Sequence, residues 1–207
     1  MNEIEKNLES VLKTLPENVK LIAVSKMKPA ELIQEAYLAG QRFFGENKVQ
    51  ELREKQPVLP DDIEWHMIGH MQTNKVKYIA PFISIIHAVD SLKLLREINK
   101  RALNNNRKIK VLLQVHIAME ENKFGFSENE IIDLTDNPEF KSFKNIEVCG
   151  LMGMATNTPD KEKIRIEFKG LRNLFDKLQS GYFDKITFTE LSMGMSNDYK
   201  IANEEGS

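Results

Sequence analysis

Two stretches of the chain combine reactive side chains with small residues in a way that could do chemistry. The first is Val24-Ser25-Lys26. Lys26 follows the apolar or small residues Leu21-Ile22-Ala23-Val24-Ser25, so its ammonium would emerge at the mouth of a buried strand. Desolvation there favours a neutral amine, which can form a Schiff base with an aldehyde. The same position also suits a lysine that snorkels into solvent and acts only as a cation. The second stretch is Leu191-Ser192-Met193-Gly194-Met195-Ser196. A strand that passes through small residues into a helix presents free backbone N–H groups and hydroxyls, which suits a phosphate. It is equally a plain turn in which Gly194 supplies backbone shape and Ser196 caps the next helix.

Other reactive residues are less pointed. The histidines His66, His70, His87 and His116 form no His-x-x-x-His pair and no His-Glu-x-x-His run, so their spacing does not support a metal site. His66 and His87 are expected to face packing. His70 and His116 lie near strand ends and are expected to line a pocket. The lone cysteine, Cys149, falls in an apolar run and reads as inert packing. Met152 and Met193 read as apolar pocket wall. The basic pairs Lys26-Met27-Lys28 and Lys75-Val76-Lys77 and the cluster Arg107-Lys108-Ile109-Lys110 read as solvated faces, without the aromatic interleaving of an RNA site. Lys28 and Lys123 would stand on the same rim as Lys26 and raise its affinity for an anion.

Strands alternating with helices must position these residues. An N-terminal helix (4–15) ends at Pro16. Seven strands are expected at 20–25, 42–45, 64–69, 83–89, 110–117, 146–152 and 186–191. Helices are expected over 30–39, 47–55, through Val76 and Tyr78, and over 91–104, 128–134, 160–179 and 197–204. The strands are near-continuous apolar runs, as in parallel strands covered on both faces. No Gly-x-Gly-x-x-Gly turn follows the first strand, which weakens an open dinucleotide-binding sheet. A TIM-type (β/α)8 barrel is the better fit, and it gathers the strand C-terminal ends on one face, where such barrels carry their active sites. The chain reads as a single domain over 1–207. Its 207 residues are 41% hydrophobic and 29% charged, ordinary for a globular protein. With 29 basic and 31 acidic residues the net charge is -2, so no bulk attraction to nucleic acid is expected. One cysteine fits a reducing, cytoplasmic setting. The apolar runs are far shorter than the roughly 20 residues of a membrane span.

Several motifs occur in order along nearly the whole chain. They are Ala23-Val24-Ser25-Lys26-Met27-Lys28-Pro29, Phe44-Gly45-Glu46-Asn47-Lys48-Val49-Gln50-Glu51, Trp65-His66-Met67-Ile68-Gly69-His70-Met71-Gln72-Thr73-Asn74-Lys75 and His87-Ala88-Val89-Asp90-Ser91. They continue with Leu113-Gln114-Val115-His116-Ile117, Lys123-Phe124-Gly125-Phe126, Gly150-Leu151-Met152 and Leu191-Ser192-Met193-Gly194-Met195-Ser196. Together they resemble the pyridoxal phosphate homeostasis proteins, relatives of the alanine racemase barrel. The resemblance implies that Lys26 holds pyridoxal 5′-phosphate as an internal aldimine. It implies that Asn47 lies beside the ring and that Ser192 and Met193 hold the phosphate. The aldehyde suits the lysine, the phosphate suits the Ser192 turn, and the apolar ring suits Met152 and Met193. The sequence departs from the family where Lys48 replaces a usual aromatic and His116 a common asparagine. It also stops at Glu204-Glu205-Gly206-Ser207, before the family's eighth strand and its share of the phosphate site, so an incomplete barrel of seven strands is expected.

The resemblance implies a carrier or homeostasis protein, monomeric, with apo-enzymes as recipients of the cofactor. The alternative is a pyridoxal phosphate-dependent amino-acid racemase. That reaction needs two opposed bases, and the family's second base is a tyrosine from an added domain. Here Tyr37, Tyr78, Tyr182 and Tyr199 are expected on helices or a loop. A barrel that binds phosphate without the cofactor, with Lys26 as a cation only, is the third reading.

Overall fold

The computed structural model describes residues 2–118, 124–184 and 187–207. Helix α1 (Glu3–Leu12) precedes the first strand; Asn2 caps it by accepting from the Glu5 N–H. Seven parallel strands follow in sequential order: β1 (Ala23–Val24), β2 (Phe43–Glu46), β3 (Glu64–Met67), β4 (Ile85–Val89), β5 (Ile109–Gln114), β6 (Ile146–Met152) and β7 (Glu190–Ser192). The connecting helices are α2 (Ala30–Leu38), α3 (Val49–Lys55), α4 (Val76–Ile79), α5 (Leu92–Asn104), α6 (Glu128–Asp136), α7 (Pro138–Lys141) and α8 (Lys161–Gly181). Helix α9 (Tyr199–Glu204) comes last. Each strand pairs with the next, and no pairing joins β1 to β7 among the described residues. This is the seven-strand, curled TIM-like sheet that the sequence led us to expect.

Strands β2 to β5 differ from the expected bounds by one to three residues at an end, and β1 and β7 are half the expected length or less. Strand β1 has two residues rather than six, and Val24 is 51% exposed. It borders the sheet and pairs only with β2, so its apolar residues lack a second strand to cover them. Strand β7 begins at Glu190 because Thr187 and Phe188 close a turn by donating to the Asp184 carbonyl. Residue 186, the expected start, lies outside the described residues, as does Lys123. Strand β6 has the expected bounds.

Strong end signals set the helices. Ser91 caps α5, Asp160 caps α8, and Ser127 with Glu130 forms a reciprocal capping box on α6. The principal core lies between helices and sheet and includes Ile33, Leu52, Val76, Leu95, Ile98, Ile131, Phe168 and Leu178. A smaller cluster of Ile85, Ala88, Leu112, Cys149 and Met152 contains no helix residue, so it fills the concave face of the sheet.

Candidate functional site

Because all seven strands run parallel, their C-terminal ends share one rim. Lys26 stands there in the turn after β1. The Lys28 N–H donates to the Ser25 carbonyl at 3.1 Å, and Met27, third residue of that turn, takes the left-handed φ of +60°. Lys26 is exposed, which corrects the expectation of a desolvated amine: a two-residue edge strand gives it no walls. Its amine has no ion-pair partner among the described residues.

The turn is built on buried charge. The Ser25 hydroxyl donates to Glu46 Oε1 at 2.7 Å, and Glu46 is completely buried. Lys55 Nζ donates to the Ser25 carbonyl at 2.9 Å, to Glu46 Oε1 at 2.7 Å and to Glu51 Oε2 at 2.8 Å. Glu51 Oε2 also accepts the Met27 N–H at 2.6 Å. Burial pushes the Glu46 carboxyl up despite its donors, while hydrogen bonds from Lys55 and Met27 outweigh burial and hold Glu51 down. Lys55 is held up by its two carboxylates against the opposing effect of burial. The backbone on both sides of Lys26 is therefore pinned to one cluster. Sequence reading missed this cluster. Its signal was a charged residue closing the apolar run Phe43-Phe44-Gly45-Glu46, with Lys55 at the end of the next helix.

Asn47 follows Glu46 and is half-buried at the end of β2. A Cβ on Gly69 would lie 2.4 Å from the Asn47 carbonyl oxygen and 2.8 Å from its Cα. Only glycine lets the β3 end pass so close, and that passage sets where Asn47 stands.

On the concave face a chain of side chains crosses the sheet. His66 Nδ1 lies 2.8 Å from His87 Nε2, and His87 Nδ1 lies 2.9 Å from Ser192 Oγ. Both imidazoles are buried. Desolvation, reinforced for His66 by His87 and for both by Lys20, pushes them down to about 3 and about 4, so they are neutral at physiological pH. His66 Nε2 and Glu46 Oε2 are buried polar atoms with no partner among the described residues. The sequence placed His66 and His87 in packing; the link to Ser192 joins residues 105 apart and was not legible.

Beyond Ser192 the chain turns at Gly194, φ +88°, packed against Ala202. The N–H groups of Met193, Gly194, Ser196 and Asn197 have no partner among the described residues. The Met195 N–H is taken by the Asp198 carboxylate. Asp198, rather than Ser196, is the N-cap residue of α9, which starts two residues later than expected. Met152 and Met193 are buried, while Met154 and Met195 are exposed. Cys149 is buried in the small cluster, and burial pushes its thiol up to about 12, which fits inert packing. His70 lines a cavity beside Asn47 and pairs with Asp90 at 3.3 Å; His116 is half-buried beside Phe126, its N–H donating to the Phe126 carbonyl. No group of three His, Cys, Asp or Glu suited to a metal occurs among the described residues, and none of their helices is long and apolar enough to cross a membrane.

A curled parallel sheet with a lysine at the end of its first strand defines a class. The chain belongs to the alanine racemase N-terminal domain family, whose model matches residues 1–204. Within that family it is similar to proteins named pyridoxal phosphate homeostasis protein. The one from Aquifex aeolicus is 41% identical over 188 residues, 90% of this chain and 81% of the relative. The one from Vibrio alginolyticus is 36% identical, covering 100% of this chain and 93% of the relative. Among solved structures, PipY of Synechococcus elongatus with PLP bound superposes with TM-score 0.88 at 35% identity, covering 99% of this chain and 95% of that one. Alanine racemase of Clostridium difficile shares the fold, with TM-score 0.76 at 18% identity; the match covers 93% of this chain and 53% of the racemase.

Proposed function

We propose that this chain is a single-domain, reversible carrier of pyridoxal 5′-phosphate that serves cofactor homeostasis. The buried Ser25–Glu46–Lys55–Glu51 cluster carries this reading. It fixes the Ser25 carbonyl and the Met27 N–H on either side of Lys26, whose amine has no ion-pair partner among the described residues. Buried ion pairs return little net stability, so a cluster of this kind is better explained by the turn it holds. The PLP described in PipY supports the same ligand here.

The residues present fit the cofactor. Lys26 would anchor it, Asn47 and Met152 would contact its ring, and Ser192 with the free N–H groups at Met193 and Gly194 would bind its phosphate. Bound pyridoxal phosphate supplies an aldehyde that condenses with a primary amine. The neutral His66–His87 pair serves Ser192: with His87 Nδ1–H donating to Ser192 Oγ, the hydroxyl hydrogen is left to donate to an anion. Exposure of Lys26 suits a carrier that must release its cargo to apo-enzymes. The tyrosines do not suit a racemase. Tyr37, Tyr78 and Tyr199 lie on helices α2, α4 and α9, and Tyr182 ends α8. A cytoplasmic monomer fits the sequence, with its single cysteine.

Adding pyridoxal phosphate is expected to give absorbance near ~420 nm, as for a protonated Schiff base, and borohydride to fix the label on Lys26. The Lys26→Ala variant loses both. A protein that stays colourless, or a band that survives Lys26→Ala, overturns the reading. Loss of the alanine α-proton at enzymatic rates would favour the racemase instead.

A further inference from the structure

Beside the Lys26 rim, a cavity of about 310 Å³ opens between α3 and the segment joining β3 to α4. Its floor is apolar and buried, formed by Val49, Met67 and Met71. Its walls carry the cations Lys48, Arg53 and Lys75 and the ring of Tyr78. The Arg53 guanidinium lies 4.5 Å from the centroid of the Tyr78 ring, Lys77 Nζ 4.9 Å and Lys75 Nζ 5.9 Å. None of these cations has a carboxylate within ion-pair distance among the described residues. The acidic residues nearby are engaged elsewhere: Glu54 accepts from Gln50 at 2.7 Å, Glu51 is tied to Lys55, and Asp90 pairs with His70.

Holding like charges together without counter-ions is unfavourable, and the more notable in a chain whose net charge is -2. An anion would relieve that repulsion. The volume suits a metabolite-sized molecule. We infer that this groove, formed by Lys48, Arg53, Lys75 and Tyr78 over the Val49–Met67–Met71 floor, binds a phosphorylated small molecule, with phosphate on the cations and an apolar or planar body on the floor. Asn47 lines the same cavity, so occupancy would be felt at the residue proposed to touch the cofactor ring. The site does not depend on Lys26 and stands or falls separately from the proposed carrier function.

The test is isothermal titration of the Lys26→Ala protein, which keeps the covalent site out of the measurement. The probes are AMP, a phosphate ester with a planar ring, and inorganic phosphate. AMP is expected to bind at ~1 mM or tighter, more tightly than inorganic phosphate, and to weaken as salt is raised. Lys48→Glu with Arg53→Glu is expected to weaken AMP at least about tenfold, the effect of losing two charge-assisted contacts. Both side chains are exposed, and an unchanged circular dichroism spectrum shows that the variant is folded. If the double variant unfolds, Lys48→Gln alone is measured and should still weaken AMP severalfold. No heat with AMP, equal affinity for AMP and phosphate, or binding unchanged by the wall substitutions overturns the inference.

Discussion

Replacing Lys55 with methionine tests the idea that buried charge holds the Lys26 turn. All three protons of Lys55 Nζ are used, on the Ser25 carbonyl, Glu46 and Glu51. Methionine keeps the stem's packing and removes every one of those bonds. Glu46 is fully buried and would keep only the Ser25 hydroxyl as donor, so a charged carboxylate would lie in the interior without a cation. Removing one partner of a buried pair costs about 3–5 kcal/mol. For a domain of this size that is a fall in Tm of about 6–20 °C. The sign with pH follows from Glu46, whose carboxyl burial already pushes above its ordinary 4.5. A group raised in the folded state gives its full stability below the unfolded value and loses it as pH rises through the folded one. Without Lys55 the rise is larger, so the deficit is greatest at neutral pH and narrows toward about pH 5. Urea unfolding of both proteins at the two pH values gives the comparison. The Glu46→Gln/Lys55→Met double variant should recover much of the loss, because the fully buried carboxylate is gone and the partly exposed Glu51 keeps the Met27 N–H. A deficit under about 1 kcal/mol at neutral pH, or one that does not narrow in acid, refutes the reasoning.

The histidine pair predicts a second pH effect. Both imidazoles are pushed below 6.5, to about 3 and about 4, so the unfolded chain binds more protons below pH 6.5. Stability should fall by about 1.4 kcal/mol per pH unit for each histidine as pH drops from 6.5 toward 4. Changing both to glutamine should flatten that slope in urea titrations, and an unaltered slope would count against the buried neutral pair. Gly69→Ala should cost about 1–3 kcal/mol, because its Cβ meets the Asn47 backbone, and should also weaken pyridoxal phosphate uptake, measured by absorbance. Normal stability and uptake in that variant would show that the β3 end does not position Asn47.

Local sequence determined the alternation of elements, because each apolar run and each cap acts within a few residues. Strand β6 was legible to the residue, and the starts of α5 and α6 to within one residue. The rim carrying Lys26, Asn47, Met152 and Ser192 followed as well, since parallel strands must end on one side. Tertiary structure alone decided how short β1 is, because burial of Val24 depends on a neighbouring strand rather than on its own apolarity. It alone revealed the partners of buried charge. Glu46 and Lys55 meet because α3 folds back over β2, and His87 reaches Ser192 because the sheet curls through the intervening strands. Periodicity reports which face a residue occupies; which side chain waits across that face is set only when the sheet closes around it.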